Sequence, residues 1–185
     1  MARVPYKTAA DLSADDQDLL ARDYNIYKAL ANSPKGARKF IGLTQFLRHH
    51  SRLDGRLREL AILQVGYLAS DPYEFSHHVD VAREFGVSDD DIDAIAVETN
   101  GGESGLEPLA CAVLRAAREM TETMTISDAT FAAMKGAFDD EELTDLVLSI
   151  AFYNGVVRVL GAMEIDVEPE FQAILNRFPL PDRNA

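Results

Sequence analysis

The residues of greatest chemical interest are a carboxylate and a histidine pair in two neighbouring segments, Arg56-Leu57-Arg58-Glu59-Leu60-Ala61-Ile62-Leu63 and Asp71-Pro72-Tyr73-Glu74-Phe75-Ser76-His77-His78. At helical spacing Phe75, His78, Val79, Ala82 and Phe85 share one stripe, so His78 points at a core, with Glu74 one turn before it. His77 lies about 100° round the same helix and faces solvent or a subunit boundary. Glu59 falls in the first turns of an otherwise apolar segment. A carboxylate there suits the helix dipole, and its inward position demands a partner. A histidine held by such a carboxylate is fixed in one tautomer and can serve as a general acid or base near neutral pH, typically for about 10²- to 10⁴-fold in rate.

Each of these residues also has a plain structural role open to it. His78 can be a core histidine satisfied by Glu59 or by a carbonyl. Asp71 and Glu74 fit the N-cap and N3 positions of a capping box, with Pro72 at N1. Glu59, Glu74, His77 and His78 are suitable ligand types for a metal but have no recognised spacing, and no metal is expected. His49 and His50 read as the charged last turn of a helix.

The elements that must position these groups are helices. Apolar residues recur at i, i+3, i+4 and i+7 along almost the whole chain, without sustained period-2 alternation. Start signals at Ser13, Asp54, Asp71, Ser88, Glu107-Pro108, Ser127 and Asp139 predict helices over 14–32, 36–50, 56–69, 72–85, 89–98, 107–123, 128–137, 140–163 and 168–176. Gly86 caps one of them, and residues 99–105 form a glycine-rich loop. The expectation is one all-α domain over 35–165, with an N-terminal helical arm over 1–34 and a C-terminal helix and extended tail over 166–185. Two segments, around Leu57–Leu68 and Leu143–Leu160, are apolar on nearly every face, which predicts cover from other subunits and therefore a homo-oligomer.

Composition narrows the functional classes. The 185 residues carry 18 Lys+Arg against 31 Asp+Glu, a net charge of −13, which argues against a nucleic-acid partner. The longest apolar tract, Leu146 to Met163, contains Ser149, Asn154 and Arg158 and reads as a core helix, so no membrane partner is expected. The start lacks an apolar signal-type stretch, and the expected compartment is the cytoplasm. The single cysteine, Cys111, provides neither a C-x-x-C pair nor an intrachain disulfide and reads as small core filler beside Ala110, Val113, Leu114 and Ala117.

The segments quoted above, with Ala82, Gly86 and the later Ile150-Ala151-Phe152-Tyr153-Asn154-Gly155-Val156-Val157-Arg158, resemble the carboxymuconolactone decarboxylase and alkyl hydroperoxidase D-like proteins over roughly 35–165. The resemblance implies an all-helical bundle assembled into trimers or hexamers, with a site between helices near the subunit contacts. Peroxidase members carry a glutamate, a C-x-H-C pair and then a histidine. Glu59 and His78 fall on that glutamate and histidine, Asp71 and Glu74 on the cysteine positions, and Tyr73 on the intervening histidine.

Without a dithiol, peroxide reduction of that type has no sulfur pair to work with. The resemblance then implies the cysteine-less, decarboxylase-like branch, which uses a histidine for proton transfer and no organic cofactor. The expected activity is that of a cofactor-independent lyase acting on a small cyclic or unsaturated carboxylate or lactone. His78 would be the proton carrier, Glu59 its orienting carboxylate and Glu74 a further catalytic group. Tyr73 would line the pocket, and Arg83, Arg58 or Arg158 would bind the acidic substrate, although Arg83 has the alternative of pairing with Asp80 or the Glu84 face of its helix. Two rival readings stand beside this one: a hydroperoxidase-type antioxidant, which the missing C-x-x-C disfavours, and a non-enzymatic ligand-binding oligomer in which Glu59 and His78 only satisfy each other.

Overall fold

In a computed structural model, which describes residues 2–182, the chain folds into helices α1 Asn25–Leu30, α2 Pro34–His49, α3 Gly55–Leu68, α4 Pro72–Glu84, α5 Asp89–Thr99, α6 Pro108–Thr123, α7 Asp128–Lys135, α8 Asp140–Met163 and α9 Gln172–Arg177. No strand occurs among the described residues. Five of the seven start signals cap as the sequence predicts, whereas Ser13 and Glu107 make no side-chain cap bond and Ser13 precedes a 3₁₀ turn. Side chains of Asp54, Asp71, Ser88, Ser127 and Asp139 each accept a hydrogen bond from the backbone N–H three residues on. Gly86 follows α4 at φ 87°, where a side chain would be strained.

The axis of the bundle is α3. Every residue from Leu57 to Gly66 is buried, and α4, α5, α6 and α8 pack round it. The cover expected from other subunits is therefore supplied for α3 by the chain itself. In α8 the cover is incomplete: Leu146, Ile150, Tyr153 and Leu160 face the core, while Leu148, Ala151 and Gly155 stay exposed. By length and apolarity α8 could cross a membrane, yet it packs against α3, α6, α4 and α7 and buries Asp145, which accepts a 2.6 Å hydrogen bond from Ser51 Oγ.

Between α3 and α4 the separation is set by Gly66, where an added Cβ would meet the Phe75 backbone at 3.3 Å. The connecting turn is tight, with Ser70 at φ 45° and Asp71 N–H bonded to Gly66 O at 3.0 Å.

The first predicted helix, 14–32, is instead a 3₁₀ turn, Ala14–Leu20, a break and the short α1. Local polar bonding wins there over helix continuation. Arg38 draws in the Asp16 and Asp18 carboxylates, and Asn25 is taken by the C-terminal segment, its N–H donating to Glu168 Oε1 at 2.6 Å and its amide to Asp166 O at 2.9 Å. At the other end, 168–176 resolves into a 3₁₀ turn, Pro169–Phe171, followed by α9. Both ends of the chain clasp: Arg3 N–H bonds Met163 O at 2.8 Å, and Tyr6 donates to Asp166 at 3.0 Å. Residues 179–182 have no regular secondary structure and follow Phe178, which is itself buried; Arg183 lies outside the described residues.

Candidate active site

His78 leaves the inner face of α4 and meets α3 on one side and α8 on the other. Its Nδ1 lies 2.7 Å from Oε2 of Glu59. Glu59 is fully buried, and its second oxygen, Oε1, accepts hydrogen bonds from Arg58 Nε and Nη2 at 3.0 and 2.9 Å. Arg58 is buried as well. Its Nη1 donates to the Leu47 and Arg48 carbonyls at 3.3 Å each, and its guanidinium lies 4.3 Å over the Phe85 ring. This set of contacts ties the end of α2 to α3 and fixes the Glu59 carboxylate, which in turn fixes the imidazole.

At the opposite edge of the ring, His78 Nε2 stands 3.1 Å from Glu74 Oε1. The approach is out of line for a hydrogen bond, so that oxygen is buried without a donor and is free to accept one from a bound molecule. The capping box expected of Asp71 and Glu74 is half formed. Asp71 Oδ1 accepts from Glu74 N–H at 2.9 Å, but the Glu74 carboxylate turns to His78 because the Asp71 N–H is already bonded to Gly66 O.

Burial opposes a charge on His78, but the Glu74 and Glu59 carboxylates outweigh it and push its pKa up to about 9. Burial likewise opposes charge on Glu59; His78, Arg58 and Arg48 overcome this and hold its carboxyl below the usual range. The direction of both shifts favours a charged imidazole paired with the Glu59 carboxylate. Tyr153 meets the His78 ring edge-on at 4.8 Å, and burial, reinforced by the Glu74 and Glu59 charges, raises its hydroxyl pKa so that it stays a donor.

A cavity of about 340 Å³ opens on this centre, at the small end of the range for ligand sites. Glu74, His78, Tyr73, Tyr153 and Arg48 are polar groups at its inner end, and Arg22, Thr44, His49, His77, Asp80 and Glu84 also line it. Tyr24, Ile26, Tyr27, Phe40, Phe152, Val156 and Phe171 supply most of its apolar wall.

The predicted site residues divide into three groups. His78, Glu74 and Tyr73 line the cavity, and Glu59 stands behind His78. Tyr73 is tied into the frame, its hydroxyl accepting from Ile26 N–H and donating to Glu168 Oε1, both at 3.1 Å. None of the three arginines proposed for the substrate lines the cavity. Arg58 is consumed by Glu59; Arg83 is exposed and pairs with Asp80 at 3.2 Å and Asp89 at 2.9 Å; Arg158 lies on the open face of α8, bonded to Asn154 Oδ1 at 3.0 Å. Among the described residues no group of three or more His, Cys, Asp or Glu side chains is placed to hold a metal ion.

His77 departs from its expected exposure. The Pro169–Phe171 turn folds over it, leaving its side chain 11% exposed between the Tyr73 ring at 4.0 Å and the Phe171 ring at 3.7 Å, with Nε2 3.0 Å from Glu168 Oε2. Cys111 sits on α6, away from the cavity, with Sγ 3.6 Å from Leu106 O; burial raises its thiol pKa.

Sequence reasoning missed Arg48 and Tyr153. Arg48 adjoins His49 and His50, which read as a helix end, and was not itself singled out, though it follows Phe40 and Thr44 at helical spacing on one face of α2. Tyr153 lay within an apolar stretch that gave no polar signal of its own.

Residues 34–119 match the family model described as "Carboxymuconolactone decarboxylase family". Over that stretch the chain is similar to this family. An uncharacterized peroxidase-related protein with an alkylhydroperoxidase AhpD core from Ralstonia eutropha JMP134 shares the fold at a TM-score of 0.79 and 21% identity, covering 97% of this chain and 98% of that one. A peroxidase-related protein from Silicibacter sp. TM1040 does so at 0.71 and 19%, covering 92% and 97%. The debrominase Bmp8 C82A, in complex with 2,3,4-tribromopyrrole, does so at 0.73 and 18%, covering 88% and 86%. At these identities the likeness establishes the fold. No curated protein matches the sequence.

Proposed function

We propose that this chain is a member of the carboxymuconolactone decarboxylase family and an enzyme of cofactor-independent proton transfer, of the lyase or isomerase kind, acting on a small cyclic or unsaturated carboxylate or lactone. The observation that carries the reading is the placing of the His78 ring, held at Nδ1 by Glu59 with Nε2 turned to Glu74 and the cavity. A substrate that loses a bond to carbon leaves an electron pair that must take up a proton. His78 Nε2–H gives that proton, Glu59 retains the Nδ1–H, and the imidazole is recharged from the Glu74 side. The donor stands ready without solvent reorganisation because its two carboxylates are already in place. The aromatic wall suits a flat, unsaturated molecule, and a fold relative binds a substituted pyrrole, which supports the size class. No step calls for an electron acceptor, and none uses Cys111. The proposed assembly is a homo-oligomer, a trimer or hexamer, with the open face of α8 as its apolar contact.

The test is a thermal-shift screen of small unsaturated acids and lactones, since a ligand that binds only the folded state raises its melting temperature. Hits are then assayed for turnover. His78→Gln should lower kcat by about 10² or more while melting point and mass are kept. Full turnover by a folded His78→Gln protein would refute the reading.

A further inference from the structure

We infer that Arg48 is the anchor for the substrate's carboxylate, and that this carboxylate is retained through the reaction rather than lost. The inference rests on the reading of the cavity as a substrate site.

Acids outnumber bases by 31 to 18 in this chain, so a guanidinium ordinarily finds a carboxylate. Arg56, Arg58, Arg118 and Arg177 each lie within ion-pair distance of one. Arg48, which lines the cavity from the last turn of α2, has no such pair among the described residues, and its Nε is buried without a hydrogen-bond partner. A buried guanidinium N–H left unpaired is costly unless a ligand completes it. The guanidinium lies beside the Tyr153 hydroxyl, and the Tyr153 ring touches His78, so anchor and proton donor are one side chain apart. Arg48 is also held in place: its backbone carbonyl accepts from Arg58, the same residue that fixes Glu59.

The negative groups lining the cavity do not cancel this charge. Glu74 faces the His78 cation, Asp80 is paired with Arg83, and Glu84 is exposed, as is Arg22, which also lines the opening. A planar carboxylate matches the guanidinium fork, so a flat acid would set its carboxylate on Arg48 and its ring against Phe40 and Phe152. Loss of carbon dioxide disperses carboxylate charge, and an ion pair to Arg48 stabilises the ground state against that change. The anchored group is therefore a spectator, and the reacting carbon lies at the His78 end. A substrate that is decarboxylated here must carry a second carboxylate.

The experiment is calorimetric binding of sodium benzoate and of its neutral isostere benzamide to the full chain, which needs no turnover and so fails or succeeds independently of the His78 mechanism. Wild type should bind benzoate about tenfold or more tightly than benzamide, and Arg48→Gln should bring the two affinities close to parity. Arg48→Lys, which keeps the charge without the fork, should retain part of the preference. Should Arg48→Gln fail to fold, Arg48→Lys and the NMR signal of the Arg48 Nε–H decide, the latter moving with benzoate and not with benzamide. Equal binding of the two probes by wild type, an unmoved Nε–H signal, or a full benzoate preference in folded Arg48→Gln would overturn the inference.

Discussion

Glu59 Oε2 and His78 Nδ1 lie 2.7 Å apart on two helices that touch backbone to backbone, and the other oxygen of the same carboxylate is occupied by Arg58. Both oxygens of Glu59 are thus committed, each to a cation. Removing either partner would strand a buried charge, so the triad is fixed as a unit. Glu74 completes the charge balance from the cavity side, where its Oε1 is the oxygen with no donor.

Stability should depend on pH through this centre. The His78 pKa is raised from 6.5 to about 9, so its contribution is fully present below 6.5 and is lost as pH rises through about 9. The magnitude is on the order of 3 kcal/mol. Glu59 is held below 4.5, so its contribution is present above 4.5 and is lost as pH falls through its lower folded value. Melting temperature measured from pH 4 to 10 should fall on both sides of a plateau, and His78→Gln should flatten the alkaline limb. An unchanged alkaline limb in that variant would contradict the charge assignment.

Glu59→Gln should reduce turnover less than His78→Gln does, because an amide still accepts the imidazole hydrogen bond but cannot stabilise the imidazolium. The double variant should lose less than the product of the two single losses, as expected for side chains in contact. It should also melt lower than wild type, because Arg58 is left buried without a countercharge, a defect costing about 3 kcal/mol. Strict multiplicativity of the two activity losses would show that the residues act apart.

Cys111→Ala should leave turnover nearly intact and shift stability by about 1 kcal/mol or less, since the thiol is half-buried, protonated and distant from the cavity. Neither protein should reduce hydroperoxide at the expense of a dithiol. Peroxide turnover that disappears with Cys111 would reverse the account.

Much of this was legible in the sequence because it is local. Capping residues and apolar spacing marked α2 to α8, and the stripe through Phe75, His78 and Val79 turned His78 inward toward Glu59. What was not legible depends on distant pairings. The break between Ala14–Leu20 and α1 comes from Arg38 and from Glu168 and Asp166, and the enclosure of His77 comes from Phe171. Arg58, Arg83 and Arg158, within or beside the motifs, were natural candidates for an acidic ligand. Their own carboxylates, or in Arg158 a helix turn, had already taken them, while Arg48 reached the cavity from a helix that carried no motif.

The central claim is that His78 is a charged proton donor at neutral pH, and nitrogen-15 NMR of the labelled imidazole through a pH titration tests it most directly. Both His78 ring nitrogens should be protonated at pH 7, titrate with a midpoint near 9, and shift to a lower midpoint in Glu59→Gln. A neutral ring at pH 7, with a midpoint at or below the ordinary histidine value of 6.5, would contradict it.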